Sequence, residues 1–105
     1  MAQFDVYPNP SRHQRSDIPW IVDIQSDLLS ALPTRLVVPL ALRKTMPSTV
    51  PKALCPPVSW AGDELVALAH MSAPFRVKDL GPAQGSLRIE ASALIGAVDA
   101  VISGI

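Results

Sequence analysis

The stretch Ser86–Ile105, SLRIEASALIGAVDAVISGI, decides the fold. Within it Leu87, Ala91, Leu94, Val98, Val101 and Ile105 recur at spacings of 4, 3, 4, 3 and 4, which is one face of an α-helix. Ser86 is placed to cap the helix start, and Gly104 to end it in a left-handed residue. Ile95 and Ile102 widen the apolar stripe. Gly96 costs about 1 kcal/mol relative to alanine in a helix interior and points to a close approach of another backbone. This is also the long proline-free stretch of the chain. The eleven prolines stand at 8, 10, 19, 33, 39, 47, 51, 56, 57, 74 and 82.

Proline breaks helix interiors and central strands, so the chain before residue 86 is expected to consist of short strands, edges and turns. The alternation Phe4-Asp5-Val6 suits a first strand. Pro8 to Asp17 is polar and charged and reads as a loop or arm. Trp20 to Gln25 and Arg35 to Leu42 read as a second and a third strand, and Leu65 to Ala69 and Phe75 to Val77 as later ones. Lys44 to Pro57 carries four prolines and reads as an irregular excursion with strand pieces at its ends. The expectation is one domain over residues 1–105, mainly β, with several short strands capped by a C-terminal helix.

Composition narrows the function. Hydrophobic residues make up 49% and charged residues 17% of the 105, which suits a folded domain. Nine basic residues balance nine acidic ones. A protein that grips a duplex by itself carries a basic excess, because neutralised phosphates and released counterions supply most of that affinity. Direct DNA binding by this chain alone is therefore not expected. The start Met-Ala-Gln-Phe-Asp-Val lacks the basic and apolar regions of a signal peptide, and no apolar run reaches membrane-spanning length. A cytoplasmic protein is expected.

The search for catalytic or metal chemistry is negative. The single cysteine, Cys55, lies among Ala53, Leu54 and Val58 and reads as a buried, inert thiol with no neighbour to lower its pKa. His13 reads as a solvated loop residue and His70 as a strand-end residue. The glycines are scattered, so no phosphate loop exists. Ser26 and Ser92 have no partner base. Asp23 and Asp27 could face one another, but read better as solvent-facing positions and turn formers. No catalytic residue, metal or cofactor is assigned.

Two features call for a partner. In Ser26-Asp27-Leu28-Leu29 adjacent leucines follow turn formers. On an extended chain neighbours point to opposite faces, so one leucine should be exposed or covered by another subunit. At the other end the helix runs out at Ile102-Ser103-Gly104-Ile105 with no polar tail, where chain ends are usually polar and frayed. The apolar face Leu94, Val98, Val101 and Ile105 exceeds what one small core need bury, which points to a dimer.

Several blocks in this order resemble the CcdB family of toxins. They are Gln3-Phe4 with Val6-Tyr7, Val22-Asp23-Ile24-Gln25-Ser26-Asp27-Leu28-Leu29, Thr34-Arg35-Leu36-Val37-Val38-Pro39-Leu40, Leu54-Cys55-Pro56-Pro57-Val58, Met71-Ser72-Ala73-Pro74, and the closing Gly104-Ile105. The resemblance implies an SH3-like barrel with a small wing sheet and a C-terminal helix, assembled as a homodimer. It implies a gyrase poison without enzyme activity, which binds the DNA gyrase A subunit and traps the gyrase–DNA cleavage complex. The positions matching the gyrase contact are Leu28, Leu29, Asp99, Ile102, Ser103, Gly104 and Ile105. It further implies neutralisation by a CcdA-like antitoxin, with Asn9, Pro10, Ser11, Arg12, His13 and Gln14 in the matching contact region. One departure stands out. The best-known member has a tryptophan just before Gly-Ile that stacks on a gyrase arginine, and here that position is Ser103. Two alternatives remain open at this point. A MazF-like endoribonuclease would share the barrel and would have to draw on Arg35, Arg76, His13 and His70; an inactive relative would bind antitoxin only.

Overall fold

The computed structural model describes residues 2–47 and 49–104. β1 (Asp5–Pro8), β2 (Trp20–Asp23) and β3 (Thr34–Leu42) form an antiparallel meander. β4 (Pro57–Trp60) and β5 (Asp63–Ala67) make a hairpin, followed by β6 (Ala73–Arg76), the short β7 (Gly85–Ser86) and the helix α1 (Ala91–Ser103). Among the described residues all strands join one seven-stranded sheet in the order β4-β5-β3-β2-β1-β7, with β6 also on β3. β3 is the hub. Its first half pairs with β6, from Thr34↔Arg76 to Val37↔Ala73, and its end pairs with β5, from Leu40↔Ala67 to Leu42↔Leu65. The β4–β5 hairpin is continuous with the main sheet through β3.

The sheet curls until its ends approach. Trp60 on β4 meets Trp20 of β2 edge-on, with ring centroids 6.3 Å apart. It also reaches β7 at the far edge of the sheet, where a Cβ added to Gly85 would lie 2.4 Å from the ring. The tight turn Ala61-Gly62 that presents Trp60 has positive φ at both residues, the geometry whose twist matches a hairpin.

Both faces of the sheet are buried. On one, Phe4, Val6, Val22, Val38, Leu40 and Leu65 pack against Leu87 and Leu94 beneath α1. On the other, Tyr7, Ile21 and Val37 pack with Leu80 and Phe75. Strict alternation therefore puts core residues at both parities, as in Val6-Tyr7 and Val37-Val38. Phe4 joins the first cluster through a kink rather than a strand, since its φ is +74° and β1 begins at Asp5.

The C-terminal helix forms as its periodicity requires, with two changes. Ser86 Oγ accepts the Arg88 N–H at 3.1 Å just before a 3-10 turn over Arg88–Glu90 whose N-cap is Leu87, and α1 itself begins at Ala91 with no side-chain cap. The apolar stripe is buried only in its first half. Leu94 and Ala97 are buried in the chain's own core, while Val101 is 40% and Ile102 80% exposed. Leu94 is thus unavailable to a partner, and what remains for one is the C-terminal half. Gly104 ends the helix as expected, at φ +74° with its N–H on Ala100 at 2.9 Å. The close approach expected at Gly96 does not occur within the chain, where a Cβ there would meet nothing within 4 Å.

Candidate functional site

The deepest departure from the sequence reading is Asp23. It is fully buried, and Arg35 Nε donates to its carboxylate at 2.6 Å, with the guanidinium also buried. The register Asp23↔Val37 places Arg35 diagonally across from Asp23 on the same face, within reach of a long side chain. Burial pushes the Asp23 carboxyl up, more than its bonds to Arg35 and the Gln25 N–H lower it. Burial opposes the Arg35 charge, yet the hydrogen bond and charge of Asp23, with Asp27 beyond, push the guanidinium up. The guanidinium therefore stays protonated, and Asp23 is the member of the pair that titrates.

This pair anchors a loop. Arg35 Nη2 donates to the Gln25 carbonyl at 3.2 Å and lies 3.7 Å from Asp27. Gln25 in turn donates to the carbonyls of Leu29 and Thr34 at 3.1 Å and accepts the Leu36 N–H at 3.0 Å. Asp27 takes the Gln3 N–H at 2.9 Å, and Ser26 Oγ takes the Leu28 N–H at 3.2 Å. A 3-10 turn over Asp27–Leu29 results. It exposes both leucines rather than one, Leu28 by 94% and Leu29 by 49%. Leu32, 47% exposed in the same loop, was not singled out by the sequence; its only signal was another leucine next to the turn-forming Pro33.

The second group of expected residues lies at the end of α1. Gly96, Asp99, Ile102 and Ser103 line a shallow groove of about 490 Å³. Ser103 donates its hydroxyl to the Asp99 carbonyl at 2.7 Å, and Gly104 is exposed beyond it. Ile105 lies outside the described residues. No hydrogen bond or ion pair among the described residues joins this helix end to the Leu28 loop.

The polar arm is ordered from within. Asn9 is buried; its Nδ2 donates to the Ile18 carbonyl at 2.9 Å, and its Oδ1 accepts the Ser11 N–H at 2.9 Å. Arg15 Nε donates to the Asn9 carbonyl at 2.6 Å. Asn9 thus shapes the arm, Pro10 and Ser11 are half-buried, and Arg12, His13 and Gln14 face outward. Beneath the arm a cavity of about 260 Å³ is lined by Gln14, Ile18, Ile21, Met71 and Phe75 among others.

The residues an endoribonuclease would need do not form a set. Arg35 is committed to Asp23, Arg76 pairs with Asp79 at 3.0 Å, and His13 and His70 sit on separate segments. Cys55 is buried, and burial pushes its thiol up. His70 Nδ1 lies 3.8 Å from its sulfur, yet the thiol is raised and not lowered, in keeping with the sequence reading. Among the described residues no group of acidic, histidine and cysteine side chains is placed to hold a metal ion, and no helix is long and apolar enough to cross a membrane.

Two comparisons bear on this arrangement. A family model described as CcdB protein matches residues 3–104, nearly the full length of the chain. No curated protein matches the sequence.

Proposed function

The chain belongs to the CcdB family, toxins of toxin–antitoxin modules, and from that premise we propose that it binds the DNA gyrase A subunit and traps gyrase on cleaved DNA. One observation carries this reading. Large apolar side chains stand in water on well-tethered elements, Leu28 94% and Ile102 80% exposed, at the positions that match the family's gyrase contact. Burying one such side chain fully contributes about 1.5–3 kcal/mol, and a few central anchors dominate most interfaces.

The toxin acts as a homodimer, which presents the same loop and helix end twice about a two-fold axis and suits a symmetric target. It supplies binding energy only. A ligand that prefers the cleaved state of gyrase raises the population of that state, while the breaking and rejoining of DNA stay with gyrase. Because gyrase acts on bacterial DNA, the site of action is the cytoplasm. Ser103 replaces an aromatic contact, so Leu28, Leu29 and Ile102 take a larger share of the interface.

A CcdA-like antitoxin neutralises the toxin. Its disordered segment folds along the arm, with Arg12, His13 and Gln14 outermost and the apolar cavity below taking a side chain. Ordering such a segment has an entropic cost, yet lets it wrap a large surface. The test is purified protein mixed with gyrase and supercoiled DNA. Accumulation of protein-linked linear DNA is expected, and its absence at toxin excess contradicts the proposal.

A further inference from the structure

The excursion between β3 and β4 folds over β5 and leaves a cleft of about 410 Å³, beside the base of the arm, where the Asp17 carbonyl accepts the Leu42 N–H at 2.8 Å and Ile18 packs on the cluster of Ala41, Cys55 and Val66. Its floor is apolar, made by Met46, Val50, Cys55 and Val66. Arg43, Lys44 and Lys52 stand around it, and no acidic residue lines it. All three cations are exposed. Among the described residues none of them makes an ion pair or a side-chain hydrogen bond. In a chain of zero formal net charge, three of nine basic side chains thus gather at one apolar cleft.

We propose that this cleft is a second docking point for a peptide, taking an acidic segment that also carries a leucine-sized apolar side chain. The carboxylates meet Arg43, Lys44 and Lys52, and the apolar side chain enters against Met46, Val50 and Val66. A nucleic-acid strand fits less well. Single-stranded sites stack bases on aromatic side chains, and the lining contains none. The rim cations would pair with phosphates as with carboxylates, but the apolar floor offers a nucleic-acid strand no contact of its own. Charge complementarity of this kind steers association and fixes register. The antitoxin is the natural source of the segment, and only that identification rests on the preceding reading. With the arm and this cleft adjoining through Ile18, one disordered chain could hold both points and gain from effective concentration.

The test uses fluorescence anisotropy with three labelled probes: a short peptide alternating leucine and glutamate, the same peptide with lysine for glutamate, and a short single-stranded DNA. The full-length protein is expected to bind the acidic peptide saturably and to bind the lysine peptide weakly. Raising the salt from about 50 to 500 mM should weaken the acidic peptide roughly tenfold, because exposed charges are screened. The variant Arg43→Glu/Lys44→Glu/Lys52→Glu should lose at least as much affinity, with an unchanged melting temperature since all three positions are exposed. No binding of the acidic peptide, or equal binding by the folded triple variant, overturns the proposal. Preference for the DNA probe overturns it in favour of nucleic acid. None of these readings uses gyrase, so a wild-type protein that fails to trap gyrase counts against the previous section alone.

Discussion

At the scale of single residues, polarity alone would have placed at the surface an ion pair that the fold buries, Asp23 with Arg35. Asp23 stands in a block of alternating polarity, and nothing local marks it as buried. Its burial follows from register, which sets Arg35 diagonally opposite, and register emerges only when the whole sheet is assembled. Removing one partner of a buried pair leaves an uncompensated charge and costs about 3–5 kcal/mol, whereas replacing both with apolar residues of similar volume is often near neutral. Arg35→Met should therefore destabilise strongly in a urea melt, and Asp23→Leu/Arg35→Met should recover most of the loss. A double variant no better than the single one would show that the pair has a further structural role. Buried acids with raised pKa values supply a second prediction. Burial lifts the Tyr7 phenol above its ordinary 10.0, with Asp5 and Asp23 adding to the rise and Arg35 opposing it. Burial also lifts the Cys55 thiol above its ordinary 9.0. The unfolded chain then releases these protons first, so the native state holds more protons across that window and stability falls as pH rises. The contribution of Tyr7 and Cys55 should be intact below about pH 9 and be lost as pH rises through their raised folded values. Tyr7→Phe should flatten the upper part of that decline, as denaturant midpoints measured across the range will show.

At the scale of elements, the sequence was readable wherever one period dominated. The apolar stripe from Leu87 located α1, and runs rich in valine and leucine located β2, β3 and β5 to within a few residues. Two strands were poorly legible for physical reasons, β4 expected only as a strand piece at the end of the Lys44–Pro57 excursion and β7 not at all. β4 opens on Pro57, and a proline reads as a break; on the sheet edge its missing N–H costs no ladder bond. β7 is only Gly85–Ser86, too short for any period, and is fixed by the Trp60 ring lying where a Cβ of residue 85 would stand. Gly85→Ala must therefore push that ring aside, at a backbone φ of +151° that side chains disfavour. A cost of about 1–3 kcal/mol is expected, as for other overpacked sites, and the Trp20–Trp60 near-ultraviolet dichroism should change with it. In the arm, the sequence reading grouped Asn9 with its neighbours as a contact residue. Its side chain is instead bonded inside the loop. Asn9→Ala should lower stability by about 1–3 kcal/mol through the carbonyl and N–H it abandons. Arg12→Ala/His13→Ala/Gln14→Ala should leave the melt unchanged and weaken antitoxin binding.

At the scale of the whole molecule, the resemblance and the exposed side chains point to function, and neither would suffice alone. The sequence identified Leu28, Leu29 and the helix end as candidate contacts. The structure places them on separate elements, the turn Asp27–Leu29 and the end of α1. A stable interface of standard size buries about 1,600 Å² in total, and the helix end with Val101, 40% exposed in the single chain, offers part of it. Sedimentation at low micromolar concentration should therefore give a dimer. A clean monomer would remove the paired groove on which the proposed action depends. The most direct test is gyrase cleavage-complex formation by Ile102→Glu beside the wild type, with a thermal melt of each. Ile102 is 80% exposed, so the variant should melt like the wild type and trap little or no gyrase on cut DNA; a folded Ile102→Glu protein that traps gyrase as efficiently as the wild type would contradict the proposed contact.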